Sequence, residues 1–371
     1  MSFMATGEKL LYQVALTLIP GVGDIVGRKL VALCGGVEAV FREPRQYLRK
    51  MPRIAAFLAE GSGNKEILKR AEQEIRFIEK YRIGVLWYQD REYPQRLRHC
   101  ADSPMLLFFK GIADLNASRV VALVGTRRAT DYGKRCTREI VMGLQAQKVI
   151  IVSGLAYGID SCAHRYALDA GLNTIGVLGH GLDRLYPYAN RNLAEKMITQ
   201  GGLVTEFLSG TKPDRENFPR RNRIIAGMCD AVVVVEAGSR GGALITADIA
   251  NSYNRDVFAV PGRVDDPLSE GSNFLVKTNR AALIQSAADV EYMMGWRESY
   301  IPSEGTQRRI LLDMSPEAEH IVNLLRERGQ TGIDDLCAES GLNMSQVSTV
   351  LLNLEFEGVV KCLPGKIYGL C

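Results

Sequence analysis

Six short apolar runs, rich in β-branched residues, recur through the middle of the chain: VVALVG (120–125), VIIVSG (149–154), TIGVLG (174–179), GLVTE (202–206), AVVVVEAG (231–238) and DVFAVPG (256–262). The first four begin about 25–30 residues apart, which is room for a strand, a turn, a helix and a return. Runs without polar alternation are strands buried on both faces, as in a parallel sheet covered by helices. The pattern therefore predicts an α/β fold with a doubly wound, mainly parallel sheet. In such a sheet the strand ends share one edge, and ligands bind there. Most of these runs close on glycine or another small residue.

The flanks read differently. LYQVALTLI, KLVALCGGVEAVF and NKEILKRAEQEIRFIEKY have apolar spacings of three and four, so residues 1–91 are expected to form a small all-α domain. Within it Pro20-Gly21-Val22-Gly23 resembles the turn of a helix-hairpin-helix, whose amides can meet a phosphate at a helix start. A plain αα-corner fits the same residues. The sheet domain is assigned to 92–297 and a polar, proline-bearing linker to 298–314. Residues 315–371 read as three helices and a two-stranded ribbon, a winged-helix-like domain.

With 46% hydrophobic and 24% charged residues in 371, the composition excludes a mainly disordered chain. No run approaches the ~20 apolar residues of a spanning helix, so no membrane association is expected. The opening MSFMATGEKLLYQ does not read as a secretory signal, and the eight cysteines form no C-x-x-C pair. A structural zinc site is not expected, and free thiols suit a reducing cytoplasm. Charge is uneven: net +5 over 1–91, +3 over 92–314 and −4 over 315–371. An acidic polymer should therefore meet the first two segments rather than the tail. The tail's expected recognition helix, Met344 to Glu357, holds no Lys or Arg, so a protein-contact or regulatory role is expected there instead of duplex reading.

The glycine loops are neither G-x-G-x-x-G nor G-x-x-x-x-G-K-[ST], and no acid follows the second strand to hold a ribose. No cofactor is expected. Four such loops still share the edge: GTRR (125–128), SGLAYGID (153–160), GHGLDRLYP (179–187) and EAGSRGGALITA (236–247), with FPRRNR (218–223) beside them. One cradle suits a mononucleotide; a row of them suits a polynucleotide strand. Glycine for packing alone is the plainer reading. Tyr157, Tyr186, Tyr188 and Phe218 sit beside the loops and could stack bases, with at least half of them expected to pack inward. Arg127 reads as a phosphate ligand. Arg221 and Arg223 read as DNA contacts or as a buried pair with Asp230 or Glu236. His180 could touch phosphate or pack, and the Cys162–His164 spacing argues against a catalytic pair. Asp160 could cap a helix and Asp183 could order its loop.

Together VGTRRATDYGKR, SGLAYGIDSCAHRYAL, TIGVLGHGLDRLYPYANRNL, FPRRNRIIAG, EAGSRGGALITADIA and VFAVPGRVDDPLSEGSNFLV resemble the DNA processing protein DprA family, also called Smf. The resemblance covers roughly residues 95–295 and implies a Rossmann-like fold. It further implies a protein that binds single-stranded DNA without cutting it, forms homodimers and loads the RecA recombinase in natural transformation. Carried over by motif, Gly125, Thr126 and Arg127 would hold one phosphate, and Ser153 and Gly154 another. Gly179 and Gly181 would line the next, with Arg221, Asn222 and Arg223 beside them, and Gly241, Gly242 and Thr246 would complete the pocket. Family members often read SGSLIT where this chain has SRGGALIT, and GCN where it has Gly271-Ser272-Asn273. Two rival functions are weighed against this: a nucleotide or nucleoside-phosphate hydrolase on a related scaffold, with Glu206 and Glu236 as its nearest acids, and a transcriptional regulator sensing a phosphorylated ligand.

Overall fold

The computed structural model of the chain describes residues 7–42, 61–296 and 314–371. The first part is helical: α1 (Gly7–Leu18), α2 (Asp24–Cys34), α3 (Val37–Arg42) and α4 (Gly61–Tyr81). Helix α1 stops at Pro20-Gly21, where Gly21 takes φ +79°, a conformation side-chain-bearing residues rarely adopt. The glycine turn therefore forms as expected. The start of α2, however, is not open to a phosphate. Asp24 lies there, accepting the Met105 amide at 2.9 Å through Oδ1 and Arg223 at 2.9 Å through Oδ2. The helices bury Val14, Leu16, Leu30 and Ile78 in a core that also takes Trp87, Met105 and Phe108 from the sheet domain.

The second part follows as β1 (Gly84–Trp87), α5 (Gln95–Arg98), β2 (Leu106–Gly111), β3 (Val120–Val124), α6 (Asp131–Gly143), β4 (Ile150–Ser153), α7 (Ile159–Asp169), β5 (Thr174–Val177), α8 (Arg191–Gln200) and β6 (Gly202–Thr205). It continues with α9 (Asn217–Met228), β7 (Ala231–Val234), α10 (Gly242–Ser252), β8 (Asp256–Ala259), α11 (Glu270–Lys277), β9 (Ala282–Leu283) and α12 (Ala287–Met293). The nine strands lie in the order β1-β2-β6-β5-β4-β3-β7-β8-β9. Strands β3 to β9 pair in parallel, and β2 and β1 extend the edge antiparallel. All six apolar runs are strands of this Rossmann-like sheet. The antiparallel extension is not foreseen by the run spacing, and β1 carries the sheet back to residue 84, ahead of the boundary expected at 92.

Period-two alternation sorts each strand's residues between two buried layers. Val120, Ala122, Val124, Val232 and Val234 face one core, with Ile224 and Ile225 of α9 and Ala247 of α10. Val121, Leu123, Ile151 and Val233 face the other, with Ile140 of α6 and Ala163 of α7. Both faces are covered, which is why these runs carry no polar alternation.

The last part is α13 (Pro316–Arg328), β10 (Thr331–Gly332), α14 (Ile333–Ser340), α15 (Met344–Phe356), β11 (Val360–Leu363) and β12 (Ile367–Leu370). Its three strands lie in the order β10-β12-β11, one strand more than the expected ribbon. Asn343 and Gln346 form a capping box that starts α15. This is a winged helix. Its wing turn is fastened to the sheet domain by Arg255, 4% exposed, which donates to the Pro364 carbonyl at 2.7 Å and to the Arg96 carbonyl at 2.7 Å. Arg255 directly precedes β8, so the tail sits at the amino edge of the sheet. The expected linker lies outside the described residues up to 313. Among the described residues no helix is long and apolar enough to cross a membrane.

Candidate nucleic-acid interface

Strand β3 is the reversal point of the sheet, with β4, β5 and β6 on one side and β7, β8 and β9 on the other. The loops leaving β3 and β7 diverge there and open a crevice at the carboxyl edge. A cleft of about 690 Å³ occupies it, lined by the loops after β3, β4, β5, β6 and β7 and by the first turns of α9 and α10.

The floor is a buried cation. Arg221 on α9 is 5% exposed, and its Nη1 donates to the Val177 carbonyl at 2.8 Å. Its guanidinium lies in a slot left by Gly154, where an added Cβ would meet Nη1 at 1.7 Å. Burial pulls its pKa down to about 10, with Asp160 opposing that shift, so it stays charged at neutral pH. Asp160, at the start of α7, is itself buried, and burial raises its pKa against the nearby Arg221 charge. Its Oδ2 accepts the amides of Gly154 at 3.1 Å and Ala156 at 3.4 Å.

The rim is cationic and aromatic. Arg127, Arg215 and Arg240 line the cleft, are exposed, and make no ion pair among the described residues. The Arg127 guanidinium lies 5.6 Å from the centre of the Phe218 ring, and Tyr186 packs at 6.1 Å from that ring. Tyr157, Tyr186 and Tyr188 are exposed and Phe218 is half-buried, so these aromatics pack inward less than expected. Helix α10 opens onto the cleft with Gly242 and Ala243, whose amides meet no acceptor among the described residues. Helix-start amides of this kind carry partial positive charge. Asn222 and Thr246 both donate to the Gly242 carbonyl, at 3.4 and 3.3 Å, and so fix this turn.

Other expected ligands are placed differently. Ser153 is fully buried, and its hydroxyl donates to the Leu123 carbonyl at 2.6 Å, tying β4 to β3. The amides of Thr126, Gly181 and Gly241 donate internally, to Glu236, Thr211 and Gly238. Gly125 and Gly179 pack against Ile159 and Phe218. Anion-facing chemistry at this edge thus comes from arginine side chains and the start of α10 more than from a row of loop amides. Arg223 turns away from the cleft to Glu206 at 2.5 Å and Asp24 at 2.9 Å. Burial alone would lower its pKa, but these two carboxylates hold it above the usual range. The pairing partners considered for it are taken elsewhere: Asp230 by Arg96 at 2.6 Å, Glu236 by the Thr130 amide at 3.0 Å and its hydroxyl.

His180 is buried, its Nδ1 donating to the Gly181 carbonyl at 2.9 Å and its Nε2 accepting the Tyr186 amide at 3.1 Å, so it braces its own loop. His164 lies under the floor, with Nδ1 2.6 Å from the Thr174 hydroxyl; burial and the Arg221 charge lower its pKa to about 3. Asp183 orders its loop by accepting the Gly210 amide at 2.9 Å. Neither Glu206 nor Glu236 lines the cleft. Arg215 belongs to no motif and is the cleft residue that sequence reasoning missed; its one signal is a basic residue in a short proline-bearing loop directly before FPRRNR.

Residues 84–295 match the model of a family described as DNA recombination-mediator protein A, and residues 303–366 match a DprA winged helix domain. Protein Smf of Synechocystis is 33% identical over 405 aligned positions, covering 98% of this chain and 99% of its own. Among solved structures, DNA processing protein A of Streptococcus pneumoniae superposes with a TM-score of 0.62 at 33% identity, covering 78% of this chain and 98% of that one. DNA processing protein A of Helicobacter pylori, whose structure concerns a single-stranded DNA binding mode, superposes with a TM-score of 0.53 at 27% identity, over 58% and 96%.

Proposed function

Because the chain belongs to the DNA recombination-mediator protein A family, we propose that its carboxyl-edge cleft binds single-stranded DNA, which the protein then passes to the RecA recombinase. The observation that carries this reading is the charge of the cleft. Four arginines line it, and its one carboxylate, Asp160, is already held by two loop amides. Phosphates meet the cations, and bases unstacked from a single strand meet the rings of Tyr186 and Phe218 that line it, at ~1–3 kcal/mol for each stacked base. A duplex keeps its bases stacked and cannot use those rings. Backbone contacts of this kind carry little sequence information, so base preference is small. The protein acts without turnover: Glu206 and Glu236 are committed to Arg223 and Thr130, outside the cleft. Homodimerisation and a cytoplasmic location complete the reading, on the strength of the family.

The test is oligo-dT binding by fluorescence anisotropy across a salt series, with duplex DNA and ATP as competitors. Four neutralised phosphates give a slope of log affinity against log salt of about −3. Replacing Arg127 and Arg215 together by alanine halves that slope and leaves the melting temperature unchanged. A salt-insensitive affinity, or displacement by ATP at modest excess, overturns the reading.

A further inference from the structure

The helical domain reaches the cleft through a polar clamp, not through its glycine turn. On α4, Glu74 is 1% exposed. Its Oε1 accepts the amide of Ser209 at 2.9 Å and its Oε2 accepts the Ser209 hydroxyl at 2.5 Å, although Ser209 lies 135 residues further along the chain. Arg70, one turn earlier on α4, donates to the Ser209 carbonyl at 2.6 Å and pairs with Glu74 at 2.9 Å. Every polar group of Ser209 is thus held by two side chains of one helix. A carboxylate is buried so fully only where its oxygens are well partnered, and here the partners are a loop and the neighbouring arginine.

A second contact grips the same segment further on. Arg223 on α9 meets Asp24 of the helical domain at 2.9 Å. Between these two anchors, Ser209 and Arg223, runs the stretch that supplies Pro213, Arg215 and Phe218 to the cleft wall and Arg221 to its floor. The wall loop has few other ties to the body of the sheet domain, chiefly Gly210 to Asp183 and the Gly181 amide to Thr211.

We infer that Glu74 is a positioning residue for the cleft: with Arg70 it fixes the loop that presents Arg215 and Phe218, so the helical domain sets the affinity for the strand without touching it. This rests on the reading of the cleft given above. A loop ordered in advance loses less freedom when the strand arrives, so its release weakens binding by about five- to tenfold. The number of phosphates neutralised does not change.

The experiment uses the full chain with Glu74→Gln, followed by oligo-dT affinity, its salt slope and amide hydrogen exchange over residues 206–216. The expected result is faster exchange in that segment, affinity lower by about five- to tenfold, and an unchanged salt slope. If Glu74→Gln fails to fold, Ser209→Ala removes only the hydroxyl contact and gives the same pattern at smaller amplitude. Faster exchange with unchanged affinity overturns the inference, because the clamp is then structural only. Weaker binding with a shallower slope also overturns it, because α4 then touches the strand itself. A wild-type chain that ignores oligo-dT overturns the reading of the cleft, and this inference with it; a wild type that binds beside a variant that binds equally overturns this inference alone.

Discussion

Substituting Gly154→Ala tests whether the Arg221 guanidinium is confined as described. The new methyl would sit 1.7 Å from Nη1 and 2.4 Å from Cζ, well inside contact distance. The guanidinium is a flexible tip, but it has little room to yield. Nη1 is bonded to the Val177 carbonyl, and Asp160 supplies the compensating charge. Relief requires a swing outward into the cleft, which breaks that bond and carries the charge farther from Asp160. Losing a hydrogen bond made by a charged group costs about 1.5–3 kcal/mol, and overpacking costs about 1–3 kcal/mol. The swing gives up the bond to escape the overlap, so the net loss is the smaller of the two, about 1–3 kcal/mol. At roughly 2–4 °C per kcal/mol for a domain of this size, the melting temperature falls by about 2–12 °C in a thermal scan. The double variant Gly154→Ala, Arg221→Ala recovers part of the loss relative to the sum of the single changes, since the methyl then enters vacated space. A melting temperature indistinguishable from wild type in Gly154→Ala, or strict additivity in the double variant, refutes the confinement.

Ser153→Ala removes the buried bond to Leu123 and lowers stability by about 1 kcal/mol in a urea titration, while oligo-dT affinity stays at the wild-type value; reduced affinity at unchanged stability would instead make the hydroxyl a strand ligand. His164 gives the chain a pH dependence of known sign. Its pKa is about 3 when folded against the ordinary 6.5, so between those values the unfolded chain takes up a proton that the folded chain refuses. Stability from this group is therefore complete above pH 6.5 and is lost as pH falls, by up to about 1.4 kcal/mol per pH unit. His164→Gln flattens that part of the profile, which urea midpoints at neutral and mildly acidic pH will show; a variant as acid-sensitive as wild type contradicts the assignment.

The sheet was legible because its signal is local. Each strand's apolar run, its glycine end and the helix-length gap to the next lie within a short window of sequence, and the shared edge follows from parallel topology alone. What lay outside the sequence's reach are pairings made by the fold itself. Arg221 and Arg223 stand two apart with the same chemistry, yet one faces the cleft and the other an acid 199 residues earlier in the chain. No spacing rule separates them, because the choice depends on contacts the fold makes, here Glu206 after β6 together with Asp24 of the docked helical domain. The family resemblance implies a phosphate cradle at Ser153 and Gly154. Here an internal carboxylate, Asp160, holds the Gly154 amide, and only the path of α7 reveals it. The antiparallel strands β1 and β2 escaped notice for a similar reason: LLFFKG pairs with β6, almost a hundred residues away, and no short turn announces that partnership.

The wing's anchorage at Arg255 puts the tail and the cleft on opposite rims of the pleated layer. The sheet thereby acts as a partition. On the proposed function, a strand held in the cleft and a partner of the acidic module share no contact residues, so both can be present at once. Deleting the module leaves every cleft-lining side chain in place, and any effect of its loss on strand affinity must pass through the layer rather than around it.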